Sequence, residues 1–346
     1  MKKSLLAMIF LFFAVSVGFC LIPESGQREF ENGFNLHIID TGSSKGTMII
    51  LKDADENELC TIVPDKNLPE AEEVAVWDAT VSKVGNIAVA AHAQKGDFVT
   101  CIIMVYDKNG KLLSARKTKY EDGSDAVFAL AYDADNTMWA LSKGNHHAAA
   151  GAKVLYHLNE GGDTLGEFYK RESVTPFVRG IRSTSSKGVF SFGLTLKYVY
   201  AFDPEDGQLV VMGKDGNSMR KVDIWKHDLP NIFNNIANAS YLNPNIFKPI
   251  GGVWLNNDDE LYIEMTFSDT NSPIPNDPAS KRNWLKQMVY KKSLNNLAGP
   301  WTRVSENKNE HAAKFVGFDA ANKPIIVEFD QSRLILSDEE KAARKK

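Results

Sequence analysis

Beyond residue 36 the hydrophobic residues form short apolar runs and show almost no helical period. The runs are rich in Val, Ile, Phe, Tyr and Trp, and turns of Gly, Asn and Asp separate them. β-Branched and aromatic residues bounded by turn residues are typical of short strands joined as hairpins. The pattern therefore predicts an all-β chain from residue 37 onwards.

Two kinds of hairpin alternate along the chain. The first kind has two apolar runs around a polar turn, and the second is tighter, with a turn of Asp, Asn and Gly. The first kind is expected at 76–91, 127–142, 178–193, 250–265 and 313–329, and the second at 102–115, 154–168, 198–212 and 287–304. Because a tighter hairpin follows each of the first four, the pattern predicts four-stranded antiparallel units.

The spacing of these units indicates their arrangement. Asn86, Thr137 and Gly188 occupy equivalent turns and are each 51 residues apart. Four-stranded units that recur at about 40–50 residues are typical of a β-propeller, in which each sheet, or blade, buries its faces against its neighbours. A β-sandwich or another all-β barrel is the alternative, but a sandwich gives no reason for repeats of four strands.

The last unit lacks its second hairpin. After 313–329 the chain offers one more apolar run, residues 333–337, and then a charged end. The N-terminal hairpin 47–63 would complete this blade and close the ring, which removes two free sheet edges. Five blades are counted, with six as the alternative because Gly207 and Gly299 in equivalent turns are 92 residues apart, about two repeats.

A family resemblance follows from the turns. YDADNTMWAL (132–141) and GFDAANKPIIV (317–327) resemble the apolar–Asp–x–x–Asn–x–apolar units of six-bladed propellers of the NHL and TolB-like kind. The resemblance covers most of residues 37–336. It implies a fold more than an activity, since that superfamily contains binding modules, lactonases and lyases.

The first twenty residues are typical of an export signal. Lys2 and Lys3 precede an apolar run, Leu5 to Phe19, and small residues near its end predict cleavage around positions 18–20. The run is shorter than the roughly 20 residues of a membrane span, although a retained anchor is an alternative. Lipid attachment at Cys20 is disfavoured, because Phe19 stands where a lipobox has a small residue.

We therefore expect an extracytoplasmic protein, periplasmic or secreted, without stable membrane insertion after cleavage. The expected organisation is a signal peptide (1–20), an N-terminal linker (21–36), a β-propeller domain (37–336) and a charged flexible tail (337–346).

The net charge limits the classes of partner, and the number of cysteines limits the kind of scaffold. The formal net charge is −4 and no basic tract occurs, which argues against nucleic acid as a partner. Three cysteines are too few for a disulfide scaffold. Export would allow Cys60 and Cys101 to pair, and two buried free thiols are the alternative.

Strand order predicts which end of the ring binds. In a four-stranded unit the first and third turns lie at one end, and the second connection and the links between units lie at the other. The longest segments, 143–152, 219–247 and 267–284, all belong to the second class. Binding residues favour long loops on a rigid scaffold, so this long-loop face is predicted to bind the ligand.

Seven residues are candidates for this face: His146, His147, Arg179, Arg182, Trp225, Trp284 and His311. The two arginines lie in a predicted innermost strand, where they could meet an anionic ligand or form salt bridges within the ring. The two tryptophans could stack on a sugar or aromatic ligand, or fix the loops to the ring. Adjacent histidines point to opposite sides of an extended segment, which disfavours a shared metal ion.

These features predict an exported, non-enzymatic propeller that binds an unknown small molecule, glycan or protein without a cofactor. The alternative is a metal-dependent lactonase-like hydrolase or lyase with a divalent ion in the channel. Asp78 could ligate such an ion, but the equivalent positions in the other units are poor in ligands: Ala129, Gly180, Gly252 and Phe315. The sequence therefore assigns no catalytic residue and no metal site.

Overall fold

The computed structural model describes residues 27–40, 47–96, 98–118, 127–142, 153–170, 191–203, 207–224, 250–268, 285–304, 311–319 and 321–330. In these ranges the strands are joined by turns, and the one other regular element is a short 3-10 turn at Pro64–Asn67. The prediction of an all-β chain is confirmed.

The strands form five sheets. Sheet 1 begins with β1 (Gln27–Glu31), β2 (Phe34–Asp40), β3 (Thr47–Lys52) and β4 (Glu58–Ile62). Sheet 2 contains β5 (Glu73–Val81), β6 (Ile87–Lys95), β7 (Phe98–Tyr106) and β8 (Leu112–Lys117). Sheet 3 contains β9 (Val127–Tyr132), β10 (Met138–Ser142), β11 (Lys153–Leu158) and β12 (Thr164–Lys170).

Sheet 4 contains β13 (Ser191–Leu194), β14 (Tyr198–Asp203), β15 (Gln208–Gly213) and β16 (Met219–Asp223). Sheet 5 contains β17 (Ile250–Leu255), β18 (Glu260–Ser268), β19 (Leu285–Ser293) and β20 (Thr302–Arg303). A C-terminal hairpin, β21 (His311–Phe318) and β22 (Pro324–Asp330), joins the edge of sheet 1.

The core lies between neighbouring sheets, as expected for a propeller. Leu36 and Ile49 of sheet 1 pack with Val89 of sheet 2. Equivalent cores join sheets 2 and 3, sheets 3 and 4, and sheets 4 and 5. Each sheet thus buries its faces against its neighbours, and the predicted propeller of four-stranded antiparallel units is confirmed.

One turn geometry recurs through the ring. At Asp107 the backbone N–H donates to the carbonyl of Lys111 (2.9 Å), the Asp107 carboxylate accepts the N–H of Lys111 (2.9 Å), and Gly110 has a positive φ. The same backbone bond and the same positive φ three residues on occur in the turns that begin at Asp53, Ser82, Asp133, Asn159, Asn256 and Asp319. The Asp and Asn of the quoted turn motif therefore have a structural role.

Ring closure differs in detail from the prediction. The N-terminal strands do join the C-terminal hairpin in one sheet, as predicted. However, the contact is a parallel bridge between Phe30 of β1 and Gly317 of β21, and the predicted hairpin 47–63 pairs with β2 instead. The reason is that β1 and β2 lie between 47–63 and the C-terminal hairpin.

These two strands occupy much of the segment expected to be a linker, residues 21–36. Glu31 and Phe34 pair across Asn32 and Gly33, which have φ angles of 54° and 89°. Two consecutive positive φ angles are the requirement of a type I′ hairpin turn, which Asn-Gly meets best. The Asn-Gly pair is the signal that would have revealed this hairpin.

Sheet 4 is shifted relative to its predicted hairpins. The predicted hairpin 178–193 lies mostly outside the described residues, and β13 includes only its end. The predicted hairpin 198–212 supplies the second and third strands, β14 and β15, and β16 supplies the fourth. The long segment predicted to begin at 219 therefore starts with a strand.

Cys60 and Cys101 are both free and buried. Cys60 lies in the core between sheets 1 and 2, whereas Cys101 lies in the core between sheets 2 and 3. The sulfur of Cys101 accepts a hydrogen bond from the N–H of Val127 (3.2 Å). Of the two alternatives for these thiols, the structure has the unpaired one.

We predict that Gly216→Ala destabilises the protein more than Gly33→Ala. Both glycines have a positive φ, 73° and 89°, so each alanine costs about 1 kcal/mol in backbone strain. A Cβ at Gly216 would also lie 2.6 Å from the Phe168 ring, whereas nothing lies within 4 Å of one at Gly33. The clash adds about 1–3 kcal/mol to the loss at Gly216, measurable by urea unfolding. Equal losses for the two variants would contradict this packing.

Candidate functional site

Most of the predicted site residues lie outside the described part of the chain. These are His146, His147, Arg179, Arg182, Trp225 and Trp284. His311 is the first residue of β21, and its backbone pairs with Asp330. It lies where the chain enters the hairpin, at the end of the ring that carries the links between sheets.

The turn end of the ring is occupied by contacts between sheets. At each of five consecutive boundaries, from sheet 1 to the C-terminal hairpin, a turn residue of one sheet bonds to the next. The contacts are Asn32 to Val81 (2.7 Å), Asn86 to Glu160 (2.8 Å), Lys214 to Asp133 (2.6 Å), Asn257 to Leu196 (2.6 Å) and Asn322 to Asp258 (3.2 Å). The short turns therefore fasten the ring.

The opposite end receives the long connections. β10 ends at Ser142 and β11 begins at Lys153, and β18 ends at Ser268 before β19 begins at Leu285. Since the strands of each sheet are antiparallel and the first and third turns share the fastened end, these connections leave from the other one. The two long connections therefore leave from the same end of the ring, and its role as the binding face stays a prediction.

A β-bulge recurs in four innermost strands. In β5 the partners of Val76 and Asp78 are Ala91 and Ala90, so Trp77 is the extra residue of a β-bulge in this ladder. Phe128, Gly251 and Val316 are the corresponding extra residues of β9, β17 and β21. Bulges redirect the side chains next to them and are frequent beside functional sites.

Trp77 and His92 form an aromatic pair beside this bulge. Their ring centroids are 4.7 Å apart at 42°, and both side chains are half-buried. Glu73 and Ala75, which precede Trp77 in β5, are exposed. The sequence analysis did not single out this pair, although a tryptophan in a predicted innermost strand was a signal for it.

Asp78 holds neighbouring sheets together. Its Oδ2 accepts the backbone N–H of Leu130 in β9 at 2.7 Å. With the bulges as reference, Ala129 and Gly252 are indeed its equivalents, but in β21 the equivalent is Gly317 and not Phe315. Within the described ranges no group of three or more His, Cys, Asp or Glu side chains could hold a metal ion.

The same kind of contact recurs at other boundaries between sheets. A side-chain oxygen of one sheet accepts a backbone N–H from the innermost strand of the next. Besides Asp78, the acceptors are Glu31 for Val81 (3.2 Å), Ser191 for Val253 (2.9 Å) and Glu264 for Phe315 (2.8 Å). These oxygens accept hydrogen bonds from N–H groups at strand edges, which would otherwise be buried without a partner.

Glu264 is the most buried of these acids, with 5% of its surface exposed. Besides the N–H of Phe315, it accepts a hydrogen bond from the amide of Gln287. Burial raises the pKa of Glu264, and the charge of Lys314 and the two hydrogen bonds oppose this shift in part. A charged residue within the apolar run of β18 was its sequence signal.

A small apolar cleft with a volume of about 20 Å³ lies between sheets 3 and 4. Leu141, Leu155, Phe192 and Met212 are among its lining residues, and its surface is almost wholly apolar. It offers nothing charged with which to orient a ligand, so the cleft alone does not define a binding site. No helix in the described ranges is both long enough and apolar enough to cross a membrane.

Comparison with known proteins shows similarity of structure at low sequence identity. No family model and no curated protein sequence matches the chain. A protein of Bacteroides fragilis NCTC 9343, named as a candidate exported protein, is similar with 11% identity and a TM-score of 0.43, over 87% of this chain and 78% of that one.

Two protease structures are also similar to this chain. Prolyl oligopeptidase B from Galerina marginata matches with 11% identity and a TM-score of 0.43, over 90% of this chain but only 42% of that one. The β-propeller domain of the Trilobed protease from Pyrococcus furiosus matches with 10% identity and a TM-score of 0.39, over 92% of this chain and 98% of that domain.

We predict that Glu264→Gln changes how stability depends on pH. A raised pKa in the folded state means that the parent loses stability as pH rises from the unfolded value, about 4.3, through the folded pKa. Glutamine cannot ionise but still has an oxygen for the Phe315 N–H. The variant should therefore equal or exceed the parent at pH 7 and lose that advantage near pH 4, as measured by urea unfolding.

The matched control is Glu264→Leu, which removes the acceptor. It leaves the buried N–H of Phe315 unpaired and should cost about 1–3 kcal/mol at both pH values. If the parent instead gained stability relative to Glu264→Gln as pH rose, Glu264 would be ionised at little cost and the argument from burial would be wrong.

Proposed function

We propose that this chain is an exported, non-enzymatic β-propeller that binds its ligand on the long-loop face. The observation that carries the proposal is the unequal use of the two ends of the ring. Turn residues at one end are bonded to neighbouring sheets at five consecutive boundaries, as described above. The long connections, which are free to differ between sheets, leave from the other end.

The residue types on the long-loop side also support ligand binding at that end. The long connections contain Trp284 and the His146–His147 pair, and Arg179 lies in the segment that leads to sheet 4. The half-buried Trp77 lies at the bulge of β5, after exposed residues at the start of that strand. Aromatic and cationic side chains suit a ligand with a flat apolar face and negative charge.

The ligand class under this proposal is a small molecule, a glycan or a protein, with no cofactor and no nucleic acid. We also place the chain with propellers of the NHL and TolB-like kind, on the strength of its Asp–x–x–Asn turns. A lactonase-like metal centre is not part of the proposal, because Asp78 already bonds to Leu130 and its equivalents in β9, β17 and β21 are Ala and Gly.

We predict that Trp284→Ala and Arg179→Ala each weaken ligand binding and leave the melting temperature nearly unchanged. A thermal-shift screen with monosaccharides, uronic acids and aromatic carboxylates would identify the probe, and titration calorimetry with the best compound would compare the variants. Lys108→Glu, in a turn at the fastened end, is the control and should bind like the parent. Loss of binding in Lys108→Glu alone would place the site at the fastened end and contradict the proposal.

Export has its own test. Cleavage of the signal should give a mature N-terminus near residues 19–21, detectable by intact-protein mass spectrometry of the protein recovered from a bacterial periplasm or medium. An uncleaved Met1 would support the anchor alternative. A diacylglycerol-modified Cys20 would support the lipoprotein alternative.

A further inference from the structure

Lys314 is a half-buried cation on the innermost strand of the C-terminal hairpin. Its neighbours Ala313 and Phe315 are 3% and 2% exposed, and both pack in the core shared with Tyr262 of sheet 5. Because successive side chains of a strand point to opposite faces, Lys314 lies on the face turned away from sheet 5.

Comparable lysines are neutralised within the ring. Lys214 has 20% of its side chain exposed and lies 2.6 Å from a carboxylate oxygen of Asp133, and the more exposed Lys291 lies 2.7 Å from one of Glu260. Lys314 differs, since its side chain forms no ion pair or hydrogen bond with any residue in the described ranges.

The pKa of Glu264 responds to the charge of Lys314, but the two side chains form no ion pair. Glu264 feels the charge of Lys314, but its oxygens are bonded to the Phe315 N–H and to Gln287. Burial also disfavours the charged form of this acid. The ammonium group of Lys314 is therefore half-buried and has no committed anion within the described ranges, which costs stability unless a ligand supplies one.

The position of Lys314 matches the binding end. It lies three residues after His311, where β21 enters from the long-loop side, and two residues before the bulge at Val316. Its counterpart in β5, counted from the bulge, is the exposed Ala75. A ligand that reached the channel from the long-loop face would meet Lys314 before it reached the bulge.

We propose that Lys314 is the anion-binding residue of the ligand site, and that the ligand carries a carboxylate or phosphate group which bonds to its ammonium. This inference rests on the proposed function and adds the chemical class of the ligand. An ammonium group offers three donors to such an oxyanion, and a charge-assisted bond is the stronger kind of hydrogen bond.

The test uses acetate and inorganic phosphate as probes at constant ionic strength, with melting temperature as the measurement. Either anion should raise the melting temperature of the parent, and the stronger of the two responses distinguishes a carboxylate from a phosphate ligand. Lys314→Met should lose this shift. It should also melt higher than the parent without added anion, because it removes an unpaired cation from a partly buried position.

Lys323→Met is the matched control. Lys323 belongs to the same hairpin but is exposed in the turn at the opposite end, so this variant should respond like the parent. Lys314→Arg keeps the charge and should retain part of the response. Lys314→Gln repeats the test if the methionine variant does not fold.

Two outcomes would overturn the inference: a parent that responds to neither anion, or a Lys314→Met variant that responds like the parent. The proposed function fails separately. If a compound from the screen binds Lys314→Met normally but not Trp284→Ala, the long-loop site stands and the role of Lys314 is wrong. If no compound binds at that face while the anion response depends on Lys314, the anion site stands alone.

Discussion

The ring depends on hydrogen bonds that serve the inner edge of each sheet. In sheets 2 to 5 the first strand pairs with another strand on one side only. Its remaining N–H groups are buried at the boundary with the preceding sheet, where an unpaired donor costs about 1–3 kcal/mol. Side chains of that sheet supply the acceptors, as Asp78 does for Leu130 and Ser191 for Val253. These hydrogen bonds link each of these strands to the sheet that precedes it.

The contacts between sheets distinguish the two ends of the molecule. The turns at one end have a common geometry, and their polar side chains are used twice, within the turn and across to the next sheet. Asp133 shows both uses, because it forms its own turn and also pairs with Lys214 of sheet 4. A substitution there would disturb two contacts at once. The longest connections leave from the other end, where loops on a fixed scaffold can vary in length and chemistry.

The boundary between sheet 5 and the C-terminal hairpin contains both a hydrogen bond between sheets and the residue proposed to bind an anion. Glu264 satisfies the backbone of β21 from one side, while Lys314 of the same strand remains without an ion-pair partner in the described ranges. On the far side a single parallel bridge, Phe30 to Gly317, joins the hairpin to sheet 1. Under the proposal for Lys314, the place where the ring closes would also hold a charge for the ligand, and stability given up there is a usual accompaniment of a binding site.

The sequence alone determined the four-stranded repeat, most of its strands and the turns between them, because these follow from local alternation and from residues such as Asp107 and Gly110 that specify a turn by themselves. It missed the hairpin of β1 and β2 and shifted the strands of sheet 4. Only the tertiary structure decided which strands share a sheet. The hairpin 47–63 pairs with β2 and not with β21, a choice between equally apolar edges that local pattern cannot make. The burial of Glu264 and its contact with Phe315 likewise bring together residues about 50 positions apart, which meet only in the folded ring.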